Sequence, residues 1–87
     1  MTVKLPADMD PQVREEVVGR EKAYSQELQR SGKWPHIWRV AGEYANYSII
    51  DADTNDELHR LLSGLPLFPY LDIKVTPLAT HPSDINV

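Results

Sequence analysis

The chain has 87 residues, 41% of them hydrophobic and 25% charged, with a formal net charge of −4 and no cysteine. That length supports one core rather than two and sits near the lower limit of independent stability, so self-association is expected. Disulfides, thiolate zinc sites and a cysteine nucleophile are excluded, the Lys and Arg residues are too scattered to form a nucleic-acid stripe, and no apolar run approaches the ~18 residues of a membrane span.

Met1 to Leu5 lacks the basic-then-apolar pattern of a secretory signal, which leaves the cytoplasm as the expected compartment. The segment alternates apolar and polar side chains and is stopped by Pro6, so it reads as a short strand, truncated at its start. Asp10 before Pro11 is a helix start: the carboxylate caps free amides, and proline is tolerated in a first turn where its missing N–H is not needed. The helix is expected to reach about Arg30, with Gly32 ending it. At 100° per residue, Val13, Val17, Tyr24 and Leu28 fall within about 60° of one another, a face suited to lie on a sheet. Glu21 falls beside that stripe, between Leu28 and Val18, whereas Glu15, Glu16 and Glu27 point elsewhere. It is the acidic residue expected to be partly buried.

Trp34 to Ala41 is rich in aromatic and branched residues, Gly42-Glu43 offers a Gly-first pair for a tight turn, and Tyr44 to Asp51 resumes the strand pattern. A hairpin is therefore expected. Thr54 and Glu57 have the spacing of a reciprocal capping box ahead of Leu58, Leu61 and Leu62, and Gly64 closes that second helix. Leu65-Pro66-Leu67-Phe68-Pro69 is a stiff apolar connector, Tyr70 to Thr76 alternates as a last strand, and residues 77–87 form a tail without periodicity. The whole of 1–87 is one domain. The order strand, helix, strand, strand, helix, strand is the ferredoxin-like βαββαβ arrangement of the α+β class. Two helices cover one sheet face, so the other is expected to pack against a second subunit, sheet to sheet.

Four stretches carry more than a fold class: Thr2-Val3-Lys4-Leu5-Pro6; Trp38-Arg39-Val40-Ala41-Gly42 with Tyr44-Ala45-Asn46-Tyr47-Ser48; Leu65-Pro66-Leu67-Phe68-Pro69-Tyr70; and His81-Pro82-Ser83. In that order, over nearly the whole chain, they resemble the muconolactone isomerase family. Each is weak alone, and all four in register are specific. The resemblance implies a dimeric α+β barrel built into a homodecamer, with pockets near subunit contacts and no cofactor. It also implies conversion of muconolactone to the 3-oxoadipate enol-lactone in the catechol branch of the β-ketoadipate pathway.

Such a reaction removes a proton from the ring carbon bearing the carboxymethyl group and returns one beside the lactone carbonyl, through a dienolate. It needs a base that also serves as acid, donors facing the carbonyl oxygen, and a cation for the substrate carboxylate. Glu21 is the first candidate base, because apolar surroundings raise a carboxyl pKa toward neutrality. His36 is a second candidate for moving the proton, on the strand face of Trp34 and Trp38, opposite the face of Ile37, Arg39 and Ala41. Arg39 or Lys4 is a candidate for holding the carboxylate, and Lys4 alternatively for polarising the carbonyl. Tyr44, Asn46, Tyr47 and Ser48 are candidate donors to the oxyanion, with Trp34, Trp38 and Phe68 as walls that exclude water. For each polar candidate the competing role is structural: an ion pair, an interface hydrogen bond or packing. Three widely spaced histidines give no metal-ligand pattern, and no metal is expected. Rival readings are a chloromuconolactone dehalogenase or methylmuconolactone isomerase on the same scaffold, and a non-catalytic small-molecule binding protein.

Overall fold

A computed structural model describes residues 1–86. In chain order the elements are β1 (Thr2–Val3), α1 (Pro11–Arg30), β2 (His36–Arg39), β3 (Asn46–Ile49), α2 (Asn55–Ser63), a 3₁₀ turn (Phe68–Tyr70) and β4 (Leu71–Asp72). The expected order of strands and helices is present, with shorter strands.

Both helices begin and end where their caps dictate. The Asp10 carboxylate accepts from the Gln12 and Val13 amides at 2.8 and 3.4 Å, ahead of Pro11 in the first turn. At the far end of α1, Lys33 N–H donates to the Leu28 carbonyl and Gly32 N–H to that of Gln29, a Schellman motif made possible by Gly32 at φ 80°. In α2 the Thr54 hydroxyl accepts from Glu57 N–H at 3.0 Å. The Glu57 carboxylate reaches back to Asp53 N–H, one residue earlier than a reciprocal box requires, and also pairs with Lys33 at 3.2 Å. Those two donors, the Asp53 amide first, hold the Glu57 carboxyl below its ordinary range.

β2 and β3 form an antiparallel ladder that pairs Trp38 with Tyr47 and Arg39 with Asn46, and β1 pairs antiparallel with β4. A Thr2–Ala45 bridge, with the bonds Val3 N–H to Tyr44 O and Asn46 N–H to Met1 O, joins the two ladders in the order β4-β1-β3-β2. The hairpin turn is displaced from the expected Gly42-Glu43 pair. Glu43 N–H donates to Val40 O, so the central residues are Ala41 and Gly42, and Gly42 at φ 81° takes the second position, where a left-handed conformation is needed. The last strand is cut to two residues because the 3₁₀ turn takes up Tyr70 and, among the described residues, no strand pairs with the chain beyond Asp72.

Leu62, Leu65 and Trp34 form the core cluster, bordered by Tyr24 and Leu28 of α1, Leu58 of α2, and Met1, Ile50, Leu71 and Ile73. Val17 and Leu67 are also buried, but Val13 at the head of the α1 stripe is 45% exposed. Residues alternate across the sheet. One face, bearing Val3, Ile37, Asn46, Ser48 and Leu71, lies under the helices; the other, bearing His36, Trp38, Tyr47 and Ile49, is open, with Trp38 54% and Tyr47 75% exposed.

Candidate active site

Glu21 sits on the inner face of α1, where Val3, Ile37, Leu67, Leu71 and Met1 wall a cleft of about 80 Å³ between helix and sheet. Its polar lining comes from Glu21, Ser25, Trp34 and Asn46. Burial pushes the Glu21 carboxyl above its ordinary value, and the Leu67 backbone amide pulls the other way with less effect. One carboxylate oxygen is cut off from solvent and without a hydrogen-bond partner, as is the indole nitrogen of Trp34. Leaving such a group unpaired costs about 1–3 kcal/mol, more when it is charged. Two residues that line one apolar cleft therefore each carry an unmet polar atom.

The neighbouring polar side chains are committed elsewhere and leave one Glu21 oxygen without a partner. The Tyr24 hydroxyl, whose pKa is raised by burial and then by the nearby Glu21 charge, donates to the Leu61 carbonyl at 2.9 Å. Ser25 donates to Lys22 O at 3.0 Å. The Ser48 hydroxyl donates to Asn46 Oδ1 at 2.7 Å, which fixes the amide and leaves its N–H₂ to donate elsewhere. A carboxyl able to exchange a proton, an amide donor and an apolar wall suit proton transfer at a carbon acid.

Of the candidates read from the sequence, Glu21 and Asn46 line the cleft and Ser48 acts on Asn46. Trp34 lines it as well, and the remaining candidates lie outside it. Lys4 pairs with Asp72 at 3.4 Å on the exposed sheet face. His36 stacks on Trp38 there, with ring centroids 5.2 Å apart. Tyr47 is on the same face, and Phe68 is at the surface in the 3₁₀ turn. Arg39 bonds the Glu43 carbonyl at 3.3 Å and lies 5.8 Å over the ring of Tyr44, which is 79% exposed. Trp34 does not share a face with His36 and Trp38. It precedes β2, and the chain leaving the Schellman motif turns it into the core, 3% exposed. The indole N–H, Ser25 and Leu67 are features the residue pattern did not single out. Ser25 lies four residues after Glu21, on the same side of the helix, which is the signal that was present. Among the described residues no group of His, Asp or Glu has metal-binding geometry, and no helix is long and apolar enough to cross a membrane.

The muconolactone delta-isomerase family matches residues 1–84. Muconolactone Delta-isomerase 1 of Acinetobacter lwoffii is 64% identical over 86 residues, 99% of this chain and 90% of its own length. The muconolactone Delta-isomerases of Cupriavidus pinatubonensis and Rhodococcus opacus are 61% and 59% identical over the same share of this chain, covering 94% and 92% of theirs. A crystal structure of muconolactone isomerase superposes with a TM-score of 0.91 at 54% identity, over 97% of this chain and 88% of that one. The chain belongs to the muconolactone delta-isomerase family.

Proposed function

We propose that the chain is a muconolactone delta-isomerase that converts muconolactone to the 3-oxoadipate enol-lactone by a 1,3-proton shift, with Glu21 moving the proton. Family membership over residues 1–84 carries the reaction. The half-buried carboxyl, with one oxygen unpartnered and its pKa raised by burial, supports the mechanism. Ionised Glu21 takes the hydrogen from the ring carbon bearing the carboxymethyl group. The electron pair of that C–H bond moves into the ring, the C=C pair shifts toward the carbonyl, and the carbonyl oxygen gains negative charge. The Asn46 amide, held by Ser48, donates to that oxygen. The protonated carboxyl returns its proton to the carbon beside the carbonyl, leaving the double bond one position along and Glu21 ionised again. A raised carboxyl pKa suits both halves, because the group is then neither too weak a base nor too weak an acid. Arg39 is a cross-strand partner of Asn46 and so shares its face of the sheet, and we assign it the substrate carboxylate.

Self-association through the open sheet face belongs to the same proposal, since an isolated chain leaves Trp38 and Tyr47 in water. An ultraviolet assay of purified protein with muconolactone tests the reaction. Glu21→Gln is expected to lower turnover by about 10²–10⁴ with the fold retained. Near-normal turnover in that variant removes Glu21 from the role.

A further inference from the structure

We infer that Ile37 sets the specificity of the site, closing it to muconolactones that carry a methyl group on the alkene carbon next to the ring carbon bearing the carboxymethyl group. This rests on the lactone reading above and on its use of Asn46 and Arg39. On the helix-covered side of the β2–β3 ladder, four side chains form two cross-strand rows, Arg39 with Asn46 and Ile37 with Ser48. The rows lie about 6.8 Å apart, the rise of two residues of antiparallel strand. Ile37 lines the cleft and is 40% exposed, so a molecule seated there can touch its side chain.

The shape of the lactone relates these rows to particular atoms. In its five-membered ring the oxygen is flanked by the carbonyl carbon and by the carbon bearing the carboxymethyl group. The first row takes what both carbons carry, the carbonyl oxygen on Asn46 and the carboxylate on Arg39. Glu21 reaches the proton-bearing carbons from the helix, which leaves the edges of the ring to the strand side chains. The ring oxygen therefore lies toward the first row and the C=C edge toward the second. Arg39 and Ile37 belong to β2, Asn46 and Ser48 to β3. The alkene carbon next to the carboxymethyl-bearing carbon consequently faces Ile37, and the one beside the carbonyl faces Ser48. A cleft of about 80 Å³ is small against the roughly 300–1,000 Å³ of a drug-sized pocket, so it takes one such ring with little to spare. A hydrogen on the carbon facing Ile37 meets the side chain in contact, whereas a methyl group there needs the volume Ile37 occupies. Ser48 is smaller, and its hydroxyl is turned to Asn46.

The test compares three substrates: muconolactone, its derivative methylated on the alkene carbon facing Ile37, and the isomer methylated on the carbon beside the carbonyl. Each is assayed with the parent, Ile37→Val and Ile37→Ala. The parent is expected to disfavour the first methyl derivative by about 10–200-fold in kcat/KM, the discrimination one extra carbon meets in a tight apolar pocket. Ile37→Ala is expected to reduce that ratio by about tenfold or more and Ile37→Val by less, with the ratio for the isomer unchanged. The intrinsic reactivity of each substrate cancels when parent and variant are compared on the same compound, and a loss of folded protein lowers the rate for all three alike. Ile37→Val keeps a β-branched side chain in the strand, so it carries the test even where Ile37→Ala fails to fold. A parent ratio near one, ratios that neither variant changes, or relief that favours the isomer overturns the assignment. A parent chain with no muconolactone turnover overturns the lactone reading and the role of Ile37 with it, whereas an active parent with unchanged ratios in both variants overturns the role of Ile37 alone.

Discussion

Glu21 links the catalytic proposal to stability through one property, the cost of ionising a half-buried carboxyl. Its folded-state pKa is raised above the ordinary 4.5. Below that value the group is protonated in folded and unfolded chains alike, and burial carries no charge penalty. As pH rises, the unfolded chain ionises first and the folded chain loses stability until its own raised pKa is passed. Glu21→Gln removes that loss. Thermal melts of parent and variant are expected to diverge from pH 4 upward, the variant being the more stable at pH 8 while its turnover has collapsed. A melting difference that stays constant across that range would rule out the buried charge as its cause. The position of Glu21 was legible in the sequence because helical angle depends only on spacing. Trp34 was not, because the Schellman motif reorients the chain just before β2, and strand alternation counted back through Pro35 assigns it to the wrong side.

Among the elements, cap residues fixed the helix ends to within a residue, whereas the strands were overcalled. A cap is a local hydrogen bond, but a strand ends where its partner ends, and Met1–Leu5 and Tyr70–Thr76 share only two paired positions. Gly64 shows a different dependence on a distant partner. It closes α2 at φ −77°, which any residue adopts, so its value is room: an added Cβ would collide with the Tyr24 hydroxyl and lie 3.2 Å from the Arg60 carbonyl. Gly64→Ala is expected to cost about 1–3 kcal/mol. Tyr24→Phe removes the colliding atom, at the cost of the bond to Leu61 O. Denaturant titrations should therefore show the double variant less destabilised than the sum of the two, with a coupling above about 0.5 kcal/mol. Strict additivity would show that the hydroxyl does not set the limit at position 64.

On the scale of the molecule, the chain is extended: its Cα radius of gyration is 14.6 Å, against roughly 12 Å for a compact domain of this length. Only five hydrophobic side chains are buried among the described residues, while one sheet face and the tail residues Leu78 and Ile85 lie open. A surface so disposed fits a subunit better than a free monomer, in keeping with the unpaired sheet face expected from two helices and four strands. Trp38→Asp places a charge at the centre of that face. It is expected to reduce the molar mass measured by light scattering to that of smaller assemblies; an unchanged mass would put the contact elsewhere. The cleft lies on the other side of the sheet, and its stiffness comes from the end of α1. Leu28 O holds both Lys33 and Trp34 N–H, and Lys33 O receives Asp51 N–H from the exit of β3. The backbone that carries Trp34 is therefore tied at once to the end of the helix and to the exit of the strand. Moving that segment means breaking the bonds at both ends, a local unfolding that belongs to the microsecond and slower scale.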